Sequence, residues 1–212
     1  MRGEPVAVAS IEGIAGQYRA VGLYHRLVTD PQQQSPSLEE SINLLERSPR
    51  VLHELLAGLP ESWLSARDTP DGWAARDVVG HLISAELDDW IPRAEIIIND
   101  GMTRAFPPFD RFAHEQRDRD ASLHQLLDRF AELRAESIAR IRELIEDEET
   151  LELHGRHPDL GEVTMGELIA TWTVHDLNHI AQIYAALAGA REEAVGPWKA
   201  NLGILLRRDL PA

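Results

Sequence analysis

Four segments of this 212-residue chain repeat apolar residues at three- and four-residue intervals, and this pattern constrains the fold more than any other feature. The segments begin near residues 37, 74, 120 and 164 and have comparable lengths, with no convincing strand alternation between them. Two of them open with capping-box spacing, Ser37 with Glu40 and Thr164 with Glu167. Because amphipathic helices of similar length bury their apolar faces against one another, the sequence predicts an all-α four-helix bundle.

Prolines and an apolar loop subdivide the predicted helices. Pro49 is expected to kink the first helix, and Pro92 is expected to bend the second, which spans about residues 74–100. Asp120 is the predicted cap of the third helix. Before it lies the loop Phe106-Pro107-Pro108-Phe109, which we expect to pack over a bundle end or over the mouth of a pocket.

Length and local composition predict one folded domain preceded by a separate segment. Residues 37–212 form the predicted bundle domain, with a short hairpin within 148–163 and a short last helix over Trp198–Arg208. Residues 1–36 show weak periodicity and end in a stretch rich in Gln and Pro, so we expect a weakly attached extension and linker there.

Three histidines on the apolar stripes form the strongest candidate site. His175 and His179 are one helical turn apart, so both imidazoles leave the same face of the fourth helix and can reach one metal ion. His81, on the apolar stripe of the second helix, is the candidate third ligand. The alternative is a set of core histidines that hydrogen-bond to neighbouring groups. Because the chain has no cysteine, any metal would be held by His and carboxylate ligands.

The other polar candidates carry weaker signals. His154 and His157 are interpreted as solvated loop histidines. Asp176 and Glu86 are interpreted as surface residues or as groups that orient the metal ligands. Four further histidines lack partners at ligand spacing: His25, His53, His114 and His124.

Composition disfavours several classes of function. The formal net charge is -15, with acidic residues spread along the chain, which disfavours binding to nucleic acids and to anionic membranes. The absence of cysteine excludes disulfides, thiolate catalysis by the protein itself and iron–sulfur clusters. No apolar run is long enough to span a membrane, and Glu4 and Glu12 interrupt the region where a signal peptide would be apolar. A cytoplasmic location is expected.

The histidines belong to a larger set of motifs that resembles the DinB/YfiT-like superfamily. The resemblance covers about residues 38–190. It implies a four-helix bundle that holds a divalent metal on three histidines, here His81, His175 and His179. The matching segments are, in order, Gly72-Trp73, Val78-Val79-Gly80-His81-Leu82 with Glu86, Val163-Thr164-Met165-Gly166-Glu167-Leu168, and His175-Asp176-Leu177-Asn178-His179-Ile180-Ala181-Gln182-Ile183.

The resemblance also implies a choice of chemistries. Members similar to this chain include thiol-dependent S-transferases and isomerases that use bacillithiol or mycothiol, and metal-dependent hydrolases. The leading hypothesis is an S-transferase in which one Zn²⁺, Ni²⁺ or Fe²⁺ ion activates a low-molecular-weight thiol toward a small-molecule substrate. Two alternatives stay open: a hydrolase that uses the same three ligands, and a non-catalytic bundle that binds a metal or ligand or forms a homodimer.

Overall fold

Four helical arms form the bundle in the computed structural model, which describes residues 37–67, 69 and 71–206. The predicted N-terminal extension, residues 1–36, lies outside the described residues. In chain order the described helices are α1 (Leu38–Leu45), α2 (Ser48–Leu56), α3 (Glu61–Leu64), α4 (Ala75–Asp88), α5 (Trp90–Asp100), α6 (Ala113–Arg117), α7 (Leu123–Leu144), α8 (Met165–Gly189), α9 (Glu192–Val195) and α10 (Gly203–Leu206). The four arms are the α1–α2 pair, the α4–α5 pair, α7 and α8, and the predicted four-helix bundle is confirmed.

Both interrupted arms break before their proline and not at it. The first arm breaks at residues 46–47, and Pro49 then lies in the first turn of α2. The second arm breaks at Asp89, and Pro92 lies in the first turn of α5. The expected kink and bend are therefore displaced toward the N-terminus. Proline is tolerated in a first turn because the backbone N–H that it lacks has no partner inside the helix there.

Side-chain caps set where the long helices begin. The two predicted capping boxes, at the starts of α1 and α8, are both formed. The third arm is capped by Ser122 and not by Asp120, so that prediction was wrong by two residues. The Ser122 hydroxyl accepts from the Gln125 N–H at 3.3 Å, and the Gln125 side-chain oxygen accepts from the Ser122 N–H at 2.8 Å. This reciprocal pair satisfies two donors that a lone Asp120 cap would not.

A short hairpin leads into the last arm. Strands β1 (His154–His157) and β2 (Gly161–Thr164) pair antiparallel, with Gly155 opposite Val163. The short hairpin expected in this region is thus present. Residue 164 ends β2 and also caps α8, so the hairpin fixes where and in which direction α8 begins. The Phe106 N–H donates to the Arg156 carbonyl at 2.9 Å, which ties the apolar loop to the same hairpin.

The predicted last helix is shorter and less regular than expected. In place of one helix over Trp198–Arg208, a 3-10 turn (Gly196–Asn201) precedes α10. The residues after 206 lie outside the described part of the chain. Pro197 at the start of the turn and Gly203 at the start of α10 divide the segment into two short pieces.

Two apolar clusters fill the bundle. One contains Trp90, Phe106 and Trp172, and the other contains Leu82 and Phe130. The helix α4 contributes to both clusters and carries His81 among its buried residues. Among the described residues, no helix has both the length and the hydropathy that a membrane crossing requires.

Candidate metal centre

His81, His175 and His179 meet inside the bundle, where α4 faces α8. One ring nitrogen from each residue lies within 4.8 Å of those of the other two. The Nε2 atoms of His81 and His175 are 3.1 Å apart. His81 and His179 are buried, and His175 is half-buried. The structure therefore brings together all three residues that the sequence singled out, and it does so between two different arms.

Hydrogen bonds behind the rings set the tautomers of two of these histidines. The Nδ1 atom of His81 lies 3.3 Å from the Arg111 carbonyl oxygen, which can only accept, so this nitrogen carries the proton. The Nδ1 atom of His179 lies 2.9 Å from the Gln182 side-chain oxygen, to which it donates. Both residues then carry no proton on Nε2, which is the form that binds a metal.

Burial keeps the three imidazoles neutral. Desolvation is the main cause in each case, because the charged imidazolium is disfavoured away from water. It lowers the pKa of His81 to about 3 and the pKa of His175 to about 2, and repulsion between protonated rings, chiefly with His179, would lower both further. The pKa of His179 is also lowered by burial. Protons therefore compete weakly for the lone pairs at neutral pH.

Aromatic rings surround the three histidines. The Trp73 ring centroid lies 4.8 Å from that of His81, and the Trp90 centroid lies 5.1 Å from that of His175. Phe109, from the apolar loop, packs edge-on against His81 at 5.6 Å. These rings limit water around the cluster and strengthen electrostatic interactions inside it. The loop that was expected to pack over a bundle end or a pocket mouth thus places Phe109 against a histidine of the cluster.

An arginine stands beside the cluster at the surface. The Arg111 guanidinium lies 5.1 Å from the centre of the Trp73 ring and 5.3 Å from that of Phe112. Its positive charge contributes to the lowered pKa values of His81 and His179. Stacking on the two rings holds the cation over the aromatic wall while its N–H groups can still reach solvent or a ligand.

A buried charge cluster lies next to the site along α8. Arg134 of α7 is only 1% exposed, and all five of its N–H donors have acceptors. Its guanidinium contacts Glu86 of α4 at 2.8 Å and Asp176 of α8 at 2.6 Å, and it donates to the Leu45 carbonyl at 2.9 Å. The Trp172 indole N–H donates to the same Glu86 carboxylate at 3.1 Å. One arginine thus ties all four arms together, and its partner Asp176 directly follows His175 on α8.

The surface interpretation of Asp176 and Glu86 was therefore wrong, and Arg134 was missed. Asp176 is 0% exposed and Glu86 is 4% exposed. Burial raises the pKa of Glu86, and the Arg134 charge opposes that rise. A sequence signal for Arg134 did exist, because it follows Phe130 and precedes Ile138 by four residues, on the apolar stripe of α7. An arginine on such a stripe requires a buried anionic partner.

The remaining histidines fall into distinct environments. His154 is half-exposed and lies 2.9 Å from Glu162, while the His157 ring accepts from two backbone N–H groups of its own turn. His114 is buried against Trp73, and neither of its ring nitrogens has a hydrogen-bond partner among the described residues. His25 lies outside the described residues. His53 and His124 were thought to lack ligand partners, and the structure corrects this by placing them beside each other and beside Asp128.

The donor set of the three-histidine cluster fits a divalent transition metal. Neutral imidazole is a good ligand for Zn²⁺, Ni²⁺ and Fe²⁺. Nitrogens bound tetrahedrally at about 2.0–2.1 Å from an ion lie about 3.4 Å apart, close to the 3.1 Å between the His81 and His175 Nε2 atoms. Three protein ligands also leave a coordination position for a reactant, which distinguishes catalytic sites from structural ones.

Comparisons with known proteins agree with this geometry. Residues 44–183 match a family model described as the DinB superfamily. A protein of Oceanobacillus iheyensis that bears the name "Putative metal-dependent hydrolase OB0782" is 24% identical over 146 residues, covering 69% of this chain and 83% of that protein. The structure of YfiT from Bacillus subtilis, described as a probable metal-dependent hydrolase with an unusual four-helix bundle topology, superposes with a TM-score of 0.62 at 26% identity. It covers 74% of this chain and 90% of YfiT.

Proposed function

This chain belongs to the DinB superfamily, and on that premise we propose that it is a metal-dependent hydrolase whose divalent ion is held by His81, His175 and His179. The observation that carries the proposal is the convergence of three neutral imidazoles from two arms, two of them buried and one half-buried, with their ring nitrogens within 4.8 Å of one another. The names of the relatives from Oceanobacillus iheyensis and Bacillus subtilis support the same class of reaction.

The residues of the chain prepare the site for hydrolysis. A divalent ion on three imidazoles supplies Lewis acidity, which lowers the pKa of water and polarises a carbonyl or phosphoryl oxygen. The Arg111 carbonyl and Gln182 hold the rings of His81 and His179 with Nε2 directed inward. Trp73 and Phe109 shield the cluster from bulk water, so charges that develop there are weakly screened.

Thiol transfer was the leading hypothesis from sequence, and the comparisons favour its alternative. Both reactions would use the same three histidines, and the chain supplies no cysteine for either. The relatives are named as hydrolases and not as transferases. We therefore place hydrolysis first and use dependence on an added thiol as the distinguishing measurement.

The test compares metal-free protein with protein reloaded with Zn²⁺, Ni²⁺ or Fe²⁺, using ester, amide and phosphoester substrates with and without bacillithiol, mycothiol or glutathione. We expect about one tightly bound ion per chain by elemental analysis of untagged protein dialysed free of excess metal, and hydrolysis that requires the ion but no thiol. Activity that appears only with a thiol would replace the hydrolase by the S-transferase. Protein that binds no ion and hydrolyses nothing would refute the proposal.

Arg111 gives the proposed hydrolase a preference for anionic substrates. Its guanidinium stands over Trp73 beside the cluster and can pair with a carboxylate or phosphate on the substrate. We expect Arg111→Met, which keeps an unbranched apolar stem over the ring, to lower kcat/KM for an anionic ester about tenfold or more. The matched neutral ester should change by less than about threefold. Equal losses on both esters would contradict a role in charge recognition.

A further inference from the structure

We propose that His53, His124 and Asp128 form a second binding site for a divalent transition metal, on the face of the bundle where α2 meets α7. One potential ligand atom from each residue lies within 4.8 Å of those of the other two. The cluster shares no residue with the three-histidine centre. It therefore does not depend on the proposed hydrolase activity.

Helix geometry brings these three groups together. His124 and Asp128 are one turn apart on α7, and the His124 Nδ1 atom lies 3.3 Å from an Asp128 carboxylate oxygen. His53 comes from α2 and packs edge-on against His124, with ring centroids 6.1 Å apart. His53 is half-buried and the other two are exposed, so the site is open to ions from solvent.

The chemistry of the donors selects the class of ion. Two imidazoles and one carboxylate suit Zn²⁺, Ni²⁺ or Cu²⁺ better than Mg²⁺ or Ca²⁺, which prefer oxygen ligands. His53 and Asp128 also line a groove of about 480 Å³, which gives water room to complete the coordination. The formal net charge of -15 raises the local concentration of cations.

Arg50 lowers the expected affinity of this second site. It lines the same groove and precedes His53 by three residues on α2, so its positive charge opposes a bound cation. The three-histidine centre also has an arginine beside it, Arg111, but it is far more buried and offers three imidazoles in place of two imidazoles and a carboxylate. The second site should therefore fill only after the first.

A metal at this position would link the first and third arms. Its ligands come from α2 and α7, so binding would oppose separation of these two helices. The expected consequence is a melting temperature that rises with the concentration of the ion, even in protein whose three-histidine centre has been removed.

The first experiment titrates zinc-loaded protein with additional Zn²⁺ by calorimetry. We expect a second equivalent, weaker than the first, in the parent protein. His53→Ala and His124→Ala should each weaken that second equivalent by about tenfold or more. The matched control is His154→Ala, which removes another exposed histidine paired with a carboxylate, Glu162, and should leave the second equivalent unchanged.

The second experiment separates the two sites. In a His179→Ala background, Zn²⁺ should still raise the melting temperature, and adding His124→Ala should abolish that rise. Circular dichroism at the start of each melt identifies any variant that does not fold, and His53→Ala then serves in place of His124→Ala. A parent protein with a single equivalent, a second equivalent insensitive to both substitutions, or no zinc-dependent rise in the His179→Ala protein would overturn the proposal.

Discussion

Replacing Arg134 with methionine should lower the free energy of unfolding by about 3–5 kcal/mol or prevent folding altogether. The substitution leaves the Glu86 and Asp176 carboxylates buried without their counter-ion. It also removes the donor to the Leu45 carbonyl, so the contacts of one side chain with three arms are lost together. Urea denaturation followed by circular dichroism measures the change.

The same helix offers a matched control. Arg140 also pairs with glutamates, Glu95 and Glu143, but its ion pairs are exposed to solvent. Exposed pairs contribute little because water and salt screen them, so Arg140→Met should leave the urea midpoint close to that of the parent protein. Similar destabilisation by Arg134→Met and Arg140→Met would show that the burial of the charge cluster is not the cause.

A compensating variant tests the mechanism of that loss. If unpaired buried charge causes it, then adding Glu86→Gln and Asp176→Asn to Arg134→Met should restore part of the stability, because neutral amides are less costly to bury than carboxylates. The Glu86 pKa, already raised by burial, should rise further in Arg134→Met alone. That variant should therefore be less destabilised at mildly acidic pH, where the carboxylate takes up a proton, than at neutral pH. No recovery in either experiment would point to lost packing instead.

Local patterns in the sequence were enough to predict the bundle and the three histidines. Helical periodicity was enough to predict the apolar stripes of α7 and α8. The capping boxes at Ser37 and Thr164 depend on hydrogen bonds between residues three apart, so they too could be predicted locally. His175 and His179 are four residues apart, so their common face is also a local property. His81 lies on a different helix, so its meeting with the other two could not be predicted from local spacing alone. Its position on an apolar stripe predicted that it points into the bundle.

The features that were missed depend on contacts between distant segments. Glu86, Arg134 and Asp176 are separated by more than forty residues, and no local pattern pairs them. The contact between the His53 and His124 rings likewise depends on how α2 packs on α7. The positions of the helix breaks were missed for another reason: the first turn of a helix accepts proline, so the sequence locates the proline and not the break.

Replacing His179 with alanine should remove the ion from the three-histidine centre and lower metal-dependent hydrolysis by about a hundredfold or more. Two histidines remain, and two ligands hold a divalent ion poorly against dilution and chelators. Helix content should be largely kept. Within the described part of the chain, the His179 imidazole forms a hydrogen bond to Gln182 of its own helix, so the packing between the arms does not depend on that bond. Elemental analysis, circular dichroism and the ester assay measure the three effects.

His154→Ala is the control for the loss of a histidine that is not a predicted metal ligand. It also deletes one imidazole, but from an exposed position on the hairpin where the ring pairs with Glu162. Metal content and hydrolysis should both match those of the parent protein. His179 is buried beside His81 and Trp73. If His179→Ala loses metal and activity together but keeps its helix content, then metal binding and hydrolysis both belong to the three-histidine centre. Hydrolysis that survives in a His179→Ala protein shown to lack metal would place the reaction elsewhere in the chain.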